Sequence, residues 1–269
     1  MHKLKSLFSK YLLPFFHKLP DGIKLYLRSF KKQELELYEI GWLVAKGTIA
    51  VDIGANKGAY TYALSKIVGK KGLVLSIEPI EELAAYLQRA CAQLKLPTIV
   101  EQCCLSDKDG EGALFIPVEG GELQTGLATL NKGDKEKDNV RKVKIRRLDD
   151  MLQKRDKRVS FIKCDVEGHE MEVFRGAIEI LKSDRPNVLV EIEQHHFEEP
   201  IESRFKFFQE NGYVGFFLSC ANGVKELKKI DLECFAKIPS LEKKQLLDAV
   251  INFIFLPAES ADSIRRLLK

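Results

Sequence analysis

Short apolar, β-branched runs alternate along the chain with longer runs whose apolar residues recur at helical spacing. Strand-length apolar runs fall at Thr48–Ile53, Gly72–Glu78, Thr98–Leu105, Val159–Asp165, Val188–Glu193 and Tyr213–Leu218. Helical runs lie between most of them, at Tyr60–Val68, Glu81–Lys95, Glu170–Lys182 and Ile201–Asn211. Strands separated by helices in this order predict an α/β domain with a parallel sheet covered on both faces. The last apolar run, "AVINFIFLP" (Ala249–Pro257), has no ordinary crossover helix before it and is expected to pair antiparallel with its predecessor. The expectation is a doubly wound, seven-stranded mixed sheet with an antiparallel last strand.

Asp107–Arg147 breaks the alternation. It carries Gly120, Gly121, Gly126 and Gly133 and the charge-dense stretch "NKGDKEKDNVRK". Strands at Ala113–Val118 and Val140–Arg146 would make it a hairpin-like excursion with a mobile tip. At the other end, Leu4, Leu7, Phe8, Tyr11 and Leu12 share one helical face, with lysines elsewhere on the wheel, and the helix ends near Pro14. A second helix is expected from Lys31 to Val44, closed by Gly47. The chain thus divides into a basic helical extension (1–33), one core domain (34–257, with 107–147 inserted) and a helical tail (258–269).

Charge is uneven. Residues 1–33 hold eight Lys or Arg against Asp21, a net of +7 in a chain whose total is +4, so the remainder is acidic. Membrane contact through residues 4–16, or packing of this helix on its own domain or on a second copy in a homo-oligomer, are the readings open for it. Nucleic acid is not expected, because no pattern of interleaved aromatic and basic residues is present. Cys91, Cys103, Cys104, Cys164, Cys220 and Cys234 show no C-x-x-C spacing and sit mostly in apolar runs. Buried reduced thiols are expected, and with them a reducing, cytoplasmic setting, at the inner face of the membrane if the helix binds there.

The turn after the first strand reads "DIGANKG", Asp52 to Gly58. Gly54 and Gly58 present no Cβ and Ala55 is small, so a ligand could approach the backbone. A dinucleotide turn would need a third glycine, and Asp52 would repel pyrophosphate while attracting an amino group and a sulfonium. Glu78 ends the second strand, 24 residues after Gly54, where a carboxylate can accept both ribose hydroxyls. Ser106 and Asp107, after the third strand, are placed to reach an adenine edge. Together with Asn56 these residues predict a nucleoside pocket, with a nicotinamide-dependent oxidoreductase or a non-catalytic nucleoside-sensing scaffold as rivals.

The blocks "VDIGANKGAYT" (51–61), "SIEP" (76–79), "LSDKDG" (105–110), "IKCDVEGHE" (162–170), "GAIEILKSDRP" (176–186) and "VLVEIE" (188–193) resemble the FkbM-type methyltransferases. These are a branch of the class I S-adenosylmethionine-dependent enzymes. The resemblance covers roughly residues 34–257, departs at Cys103–Cys104 and around 131–142, and implies a Rossmann-like fold. It also implies S-adenosyl-L-methionine as cofactor and O-methylation of a hydroxyl on a saccharide, glycolipid or related secondary metabolite.

The fourth strand ends "KCDVEGHE" and the fifth "VEIEQHHF". Neither carries the Asn/Asp-Pro-Pro-aromatic or Pro-Cys motif of enzymes acting on bases, which points to an oxygen acceptor. Asp165, Glu167, His169, Glu191 and His195 are the candidates around it. Two readings remain open: a His or carboxylate as general base, or carboxylates and a His gathering a divalent metal that lowers the pKa of the acceptor hydroxyl. Glu167 and Glu170 could equally charge a helix N-terminus. No H-x-E-x-H-like spacing defines a ligand set.

Overall fold

The computed structural model describes residues 19–31, 41–131, 138–219, 223–227 and 252–261. The basic helix expected at residues 4–14 lies outside them, as does most of the one expected from Lys31 to Val44, of which 41–43 are helical. A helix that the apolar pattern did not announce, α1 (Asp21–Lys31), starts directly after Pro20. Gly22 in its first turn hides it from propensity, yet a Cβ there would meet Gln93 Cβ at 3.1 Å, so the glycine permits the close approach at which its N–H donates to Gln93 Oε1 at 2.7 Å.

The sheet is built outward from β1 (Ile49–Ile53), in which all five residues are buried. The chain passes through α2 (Ala59–Val68), β2 (Leu73–Ile77), α3 (Glu81–Gln93) and β3 (Thr98–Glu101), and both strands lie parallel on one side of β1. Glu81 and Glu82 suit the first turn of α3, where the helix dipole favours acids. The expected strand Thr98–Leu105 is two pieces. Cys103 N donates to Glu101 O in a tight turn, and β4 (Cys104–Leu105) leaves for a separate sheet. That sheet is completed by β5 (Gly110–Ile116), which runs antiparallel to β8 (Asn139–Arg146) as the excursion predicts. Between them β6 (Val118–Glu119) and β7 (Glu122–Leu123) form a small hairpin. Residues 132–137 of the charged tip lie outside the described residues.

After α4 (Leu148–Met151), β9 (Val159–Cys164) returns to the free side of β1. The expected helix Glu170–Lys182 is divided into α5 (Glu170–Arg175) and α6 (Ile178–Ser183). The physical cause is Gly176, where a Cβ would meet Ser106 O at 2.0 Å, and Asp149, whose carboxylate accepts from Glu179 N and Ile180 N at 3.1 and 3.0 Å. A carboxylate from another element thus starts the second helix.

β10 (Asn187–Glu191), α7 (Glu202–Glu210), β11 (Tyr213–Ser219), β12 (Gly223–Glu226) and β13 (Asn252–Pro257) complete the chain. The strand order is β12-β11-β13-β10-β9-β1-β2-β3. β13 inserts between β10 and β11, antiparallel to both, so the expected seven-stranded mixed sheet is present. β12 adds a short strand at one edge. Val51, Ile162, Val188 and Phe255 pack on one face against α5, α6 and α7, while Ala50, Phe161, Leu189 and Ile254 pack on the other with α2. Cys91, Cys103, Cys104 and Cys164 are free and buried, and Cys220 and Cys234 lie outside the described residues.

Candidate functional site

The chain leaves β1 toward β2 and comes back on its other side at β9, so the carboxyl ends of these strands open onto one crevice. Gly54 N and Ala55 N both donate to Ile77 O, at 3.1 and 3.0 Å, which folds the turn over the end of β2. Gly54 takes φ +73°, and a Cβ on it would sit 1.9 Å from Asp165 O. Its glycine therefore serves the close approach of β1 to the end of β9. Asn56 N donates to Glu78 Oε2 at 2.7 Å, and Ile80 N to Glu78 Oε1 at 2.9 Å. Burial pushes the Glu78 carboxyl up to about 7 against the pull of these two N–H groups.

The cleft is walled by Gly54, Asn56, Glu78 and Pro79 on one side and by Asp165, Val166, Glu167 and His169 on the other. Cys104, Leu105 and Leu114 form an apolar floor. Thr125, Gly126, Ala128 and Leu130, from the inserted excursion, close over it. A bridge between Phe115 and Thr129 folds that segment back, and Thr129 Oγ1 donates to Glu167 O at 2.7 Å. The excursion is thus the roof of the site, a role its glycines and charges do not reveal. Asn56 Oδ1 is buried and has no hydrogen-bond partner among the described residues.

Several residues expected at the cofactor do not line this cleft. Asp52 lies beneath the turn, not on the cleft, and accepts from Thr61 Oγ1 at 2.6 Å. In the parallel register it neighbours Lys163, and from beneath the turn its charge acts on both that ammonium and the Glu78 carboxyl. Gly58 faces Leu87 and Leu25, which a Cβ would meet at 2.3 and 3.0 Å, so it serves helix packing. Ala55 joins the same apolar cluster. Ser106 is turned toward His169, with Oγ 2.9 Å from Nε2, and Asp107 is exposed. Of the expected set, Gly54, Asn56 and Glu78 line the cleft.

The polar groups at the ends of β9 and β10 form linked pairs. Lys163 Nζ donates to Asp165 Oδ2 at 2.6 Å and lies 4.9 Å from the centre of the Tyr60 ring. Burial opposes its charge, yet Asp165 and Asp52 hold the ammonium above the usual lysine value. Glu191 is raised well above the carboxylate range by burial and by Asp165, with Lys163 opposing. Glu167 Oε2 pairs with His196 Nε2 at 2.8 Å, and that contact raises the imidazole. His169 is lowered by burial, with Glu172 opposing, so a neutral ring meets Ser106. Glu170 is buried, pushed up to about 7 by that burial, and bonded to Gly168 N. His195 is the exception among the candidates: its side chain is 67% exposed and paired with Glu193 at 2.9 Å.

Two participants escaped the pattern. Lys163 had a signal, a lysine inside the otherwise apolar strand "VSFIKC", where an ammonium needs a buried partner. The pairing of His196 with Glu167 had none, since it joins the loop after β9 to a short 3-10 turn, Gln194–His196, after β10.

Sheet order, the turn after β1 and the acid ending β2 define the Rossmann-like fold of S-adenosylmethionine-dependent methyltransferases. The family model described as "Methyltransferase FkbM domain" matches residues 52–214, and the chain belongs to that family. Among solved structures, a methyltransferase FkbM from Methylobacillus flagellatus is 20% identical over 56% of this chain and 34% of its own, with a TM-score of 0.40. This chain thus spans about a third of that protein's length. An S-adenosylmethionine-dependent O-methyltransferase from Thermotoga maritima is 13% identical over 88% of this chain and 71% of its own, with a TM-score of 0.44. Aeropyrum pernix fibrillarin, in complex with S-adenosyl-L-methionine, is 12% identical over 82% of this chain and 73% of its own, with a TM-score of 0.43. No curated protein matches the chain significantly. Among the described residues no helix is long and apolar enough to cross a membrane.

Proposed function

We propose that residues 34–257 act as an O-methyltransferase that uses S-adenosylmethionine to methylate a hydroxyl on a saccharide, glycolipid or related secondary metabolite. The observation that carries this reading is one wall of the cleft: the buried Glu78 carboxylate beside the unpartnered Asn56 Oδ1. An acid with lone pairs remaining after two N–H bonds suits a ribose diol, and a buried carbonyl oxygen suits an amino group. S-adenosylmethionine supplies a methyl group already activated on a sulfonium.

What remains for the chain is alignment and removal of one proton. Glu78, Asn56 and the backbone of Gly54 hold the nucleoside end, and the apolar floor of Cys104, Leu105 and Leu114 excludes water. Across the cleft, Asp165 and Glu167 would face the acceptor, with the buried Glu191 next to Asp165. The acceptor oxygen forms its new bond to carbon as the carbon–sulfur bond breaks, and its proton passes to a carboxylate of this group. The four buried thiols fit a cytoplasmic setting, and residues 4–16 would provide contact with the inner membrane face.

Calorimetry with S-adenosylhomocysteine and with NAD separates the rivals. One molecule of S-adenosylhomocysteine per chain and no binding of NAD are expected. Transfer of labelled methyl to a panel of saccharides and glycolipids should then yield an alkali-stable ether. Tight binding of NAD without S-adenosylhomocysteine, or label found on nitrogen, overturns the reading.

A further inference from the structure

We propose that Glu193, His195 and His196 form a binding site for a divalent first-row transition metal at the rim of the cleft. One ligand atom from each lies within 4.8 Å of the others. His195 Nδ1 and Glu193 Oε2 are 2.9 Å apart, so an outward shift of a few tenths of an ångström brings them to the roughly 3.4 Å that separates two tetrahedral ligands with bonds of about 2.1 Å. The His195 and His196 rings stand side by side, their centres 4.0 Å apart. Two imidazoles and one carboxylate favour a borderline ion such as zinc or cobalt over magnesium or calcium, which prefer oxygen ligands.

The surroundings hold these groups in place. His196 Nε2 lies 2.8 Å from the Glu167 carboxylate, so its hydrogen is directed at that acid and Nδ1 is the atom left for a metal. A carboxylate behind a ligating histidine is the usual support of a metal site. Gly168 takes φ +92°, and a Cβ there would meet His196 Cβ at 2.7 Å, so this glycine makes the room that the ring occupies. Gln194 pins the loop: its Nε2 donates to Phe197 O and Glu199 O, and its Oε1 accepts from Ile201 N.

Through Glu167 the ion would stand one residue from the cleft wall, with positions left for water or an acceptor hydroxyl. That role rests on the methyl-transfer reading, whereas binding rests on the geometry alone. Untagged protein freed of metal by chelation is titrated calorimetrically with zinc, and with cobalt followed by visible absorption. One ion per chain is expected, with affinity lowered about tenfold or more by His195→Ala and Glu193→Gln. Glu167→Gln should weaken it by about 10–100-fold without removing a ligand. Because His195 is exposed, His195→Ala is expected to fold normally, and thermal melting verifies this. Absence of stoichiometric binding, or binding that His195→Ala and Glu193→Gln leave unchanged, overturns the site. S-adenosylhomocysteine titrated into the same samples keeps the two readings apart: its failure to bind overturns methyl transfer and leaves the metal site standing.

Discussion

Lys163 Nζ lies 2.6 Å from Asp165 Oδ2 while its strand register sets it beside Asp52, so one buried ammonium serves two acids. The side chain of Lys163 is 4% exposed, and Asp165 is the residue by which β9 enters the cleft. The lysine thereby orients a cleft carboxylate from behind.

Replacing Lys163 by Met should destabilise the protein by about 3–5 kcal/mol, because it leaves two acids without their buried cation. Asp165→Asn should cost less, since Asp52 still faces the ammonium. Urea unfolding of both variants checks the order. Equal costs would show that Asp52 contributes nothing to the lysine.

Glu78 makes binding and stability respond to pH in opposite senses. Its carboxyl is raised by burial from the usual 4.5 to about 7, so the folded protein holds a proton there that the unfolded chain has lost. Stability associated with Glu78 is therefore complete below 4.5 and falls as pH rises through about 7. Affinity for S-adenosylhomocysteine should rise over the same interval, as the ionised acid accepts the ribose hydroxyls. Glu78→Gln should lower affinity by about tenfold or more and flatten its pH dependence. Calorimetry between pH 5.5 and 8.5, as roughly the span needed to bracket that titration, measures both.

The central sheet was legible because its strands are buried on both faces and read as continuous apolar runs. The place of Glu78 on the cleft was legible for a related reason: a strand of known length ends at a known place, and the residue after it meets the crevice. What was hidden depends on contacts between distant segments. Gly176 looks like any helix glycine until Ser106 O is set against it, and Asp149 caps α6 from 30 residues away. Asp52 has a bond that the pattern does not show. Its place beside the glycine turn suggested a ligand contact, but the parity of β1 turns it inward to Thr61 and Lys163.

Gly54 and Gly121 both have positive φ, at +73° and +83°, which makes them a controlled pair. A Cβ on Gly121 meets nothing within 4 Å, so Gly121→Ala should cost about 1–2 kcal/mol, the left-handed backbone alone. Gly54→Ala must in addition displace a backbone carbonyl 1.9 Å away. It should melt far lower than Gly121→Ala or fail to accumulate as folded protein. Matching melting temperatures would mean that the Gly54–Asp165 approach relaxes freely.

Glu191 offers the sharpest test of the chemistry. Burial and the neighbouring Asp165 raise its carboxyl well above the ordinary range, with Lys163 opposing. A base works best when its pKa lies near the working pH, and this shift moves Glu191 in that direction. A raised carboxyl stays protonated further up the pH scale, so a reaction that needs its ionised form should accelerate as pH rises through the raised value. The kcat profile for methyl transfer should then show a rising limb above the ordinary carboxylate range. Glu191→Gln should lower kcat by about 10²–10⁴-fold and leave S-adenosylhomocysteine affinity nearly unchanged, because Glu191 is not part of the Glu78 wall. A flat profile in the native protein, or full activity in Glu191→Gln, would move the proton to Asp165 or to the Glu167–His196 pair.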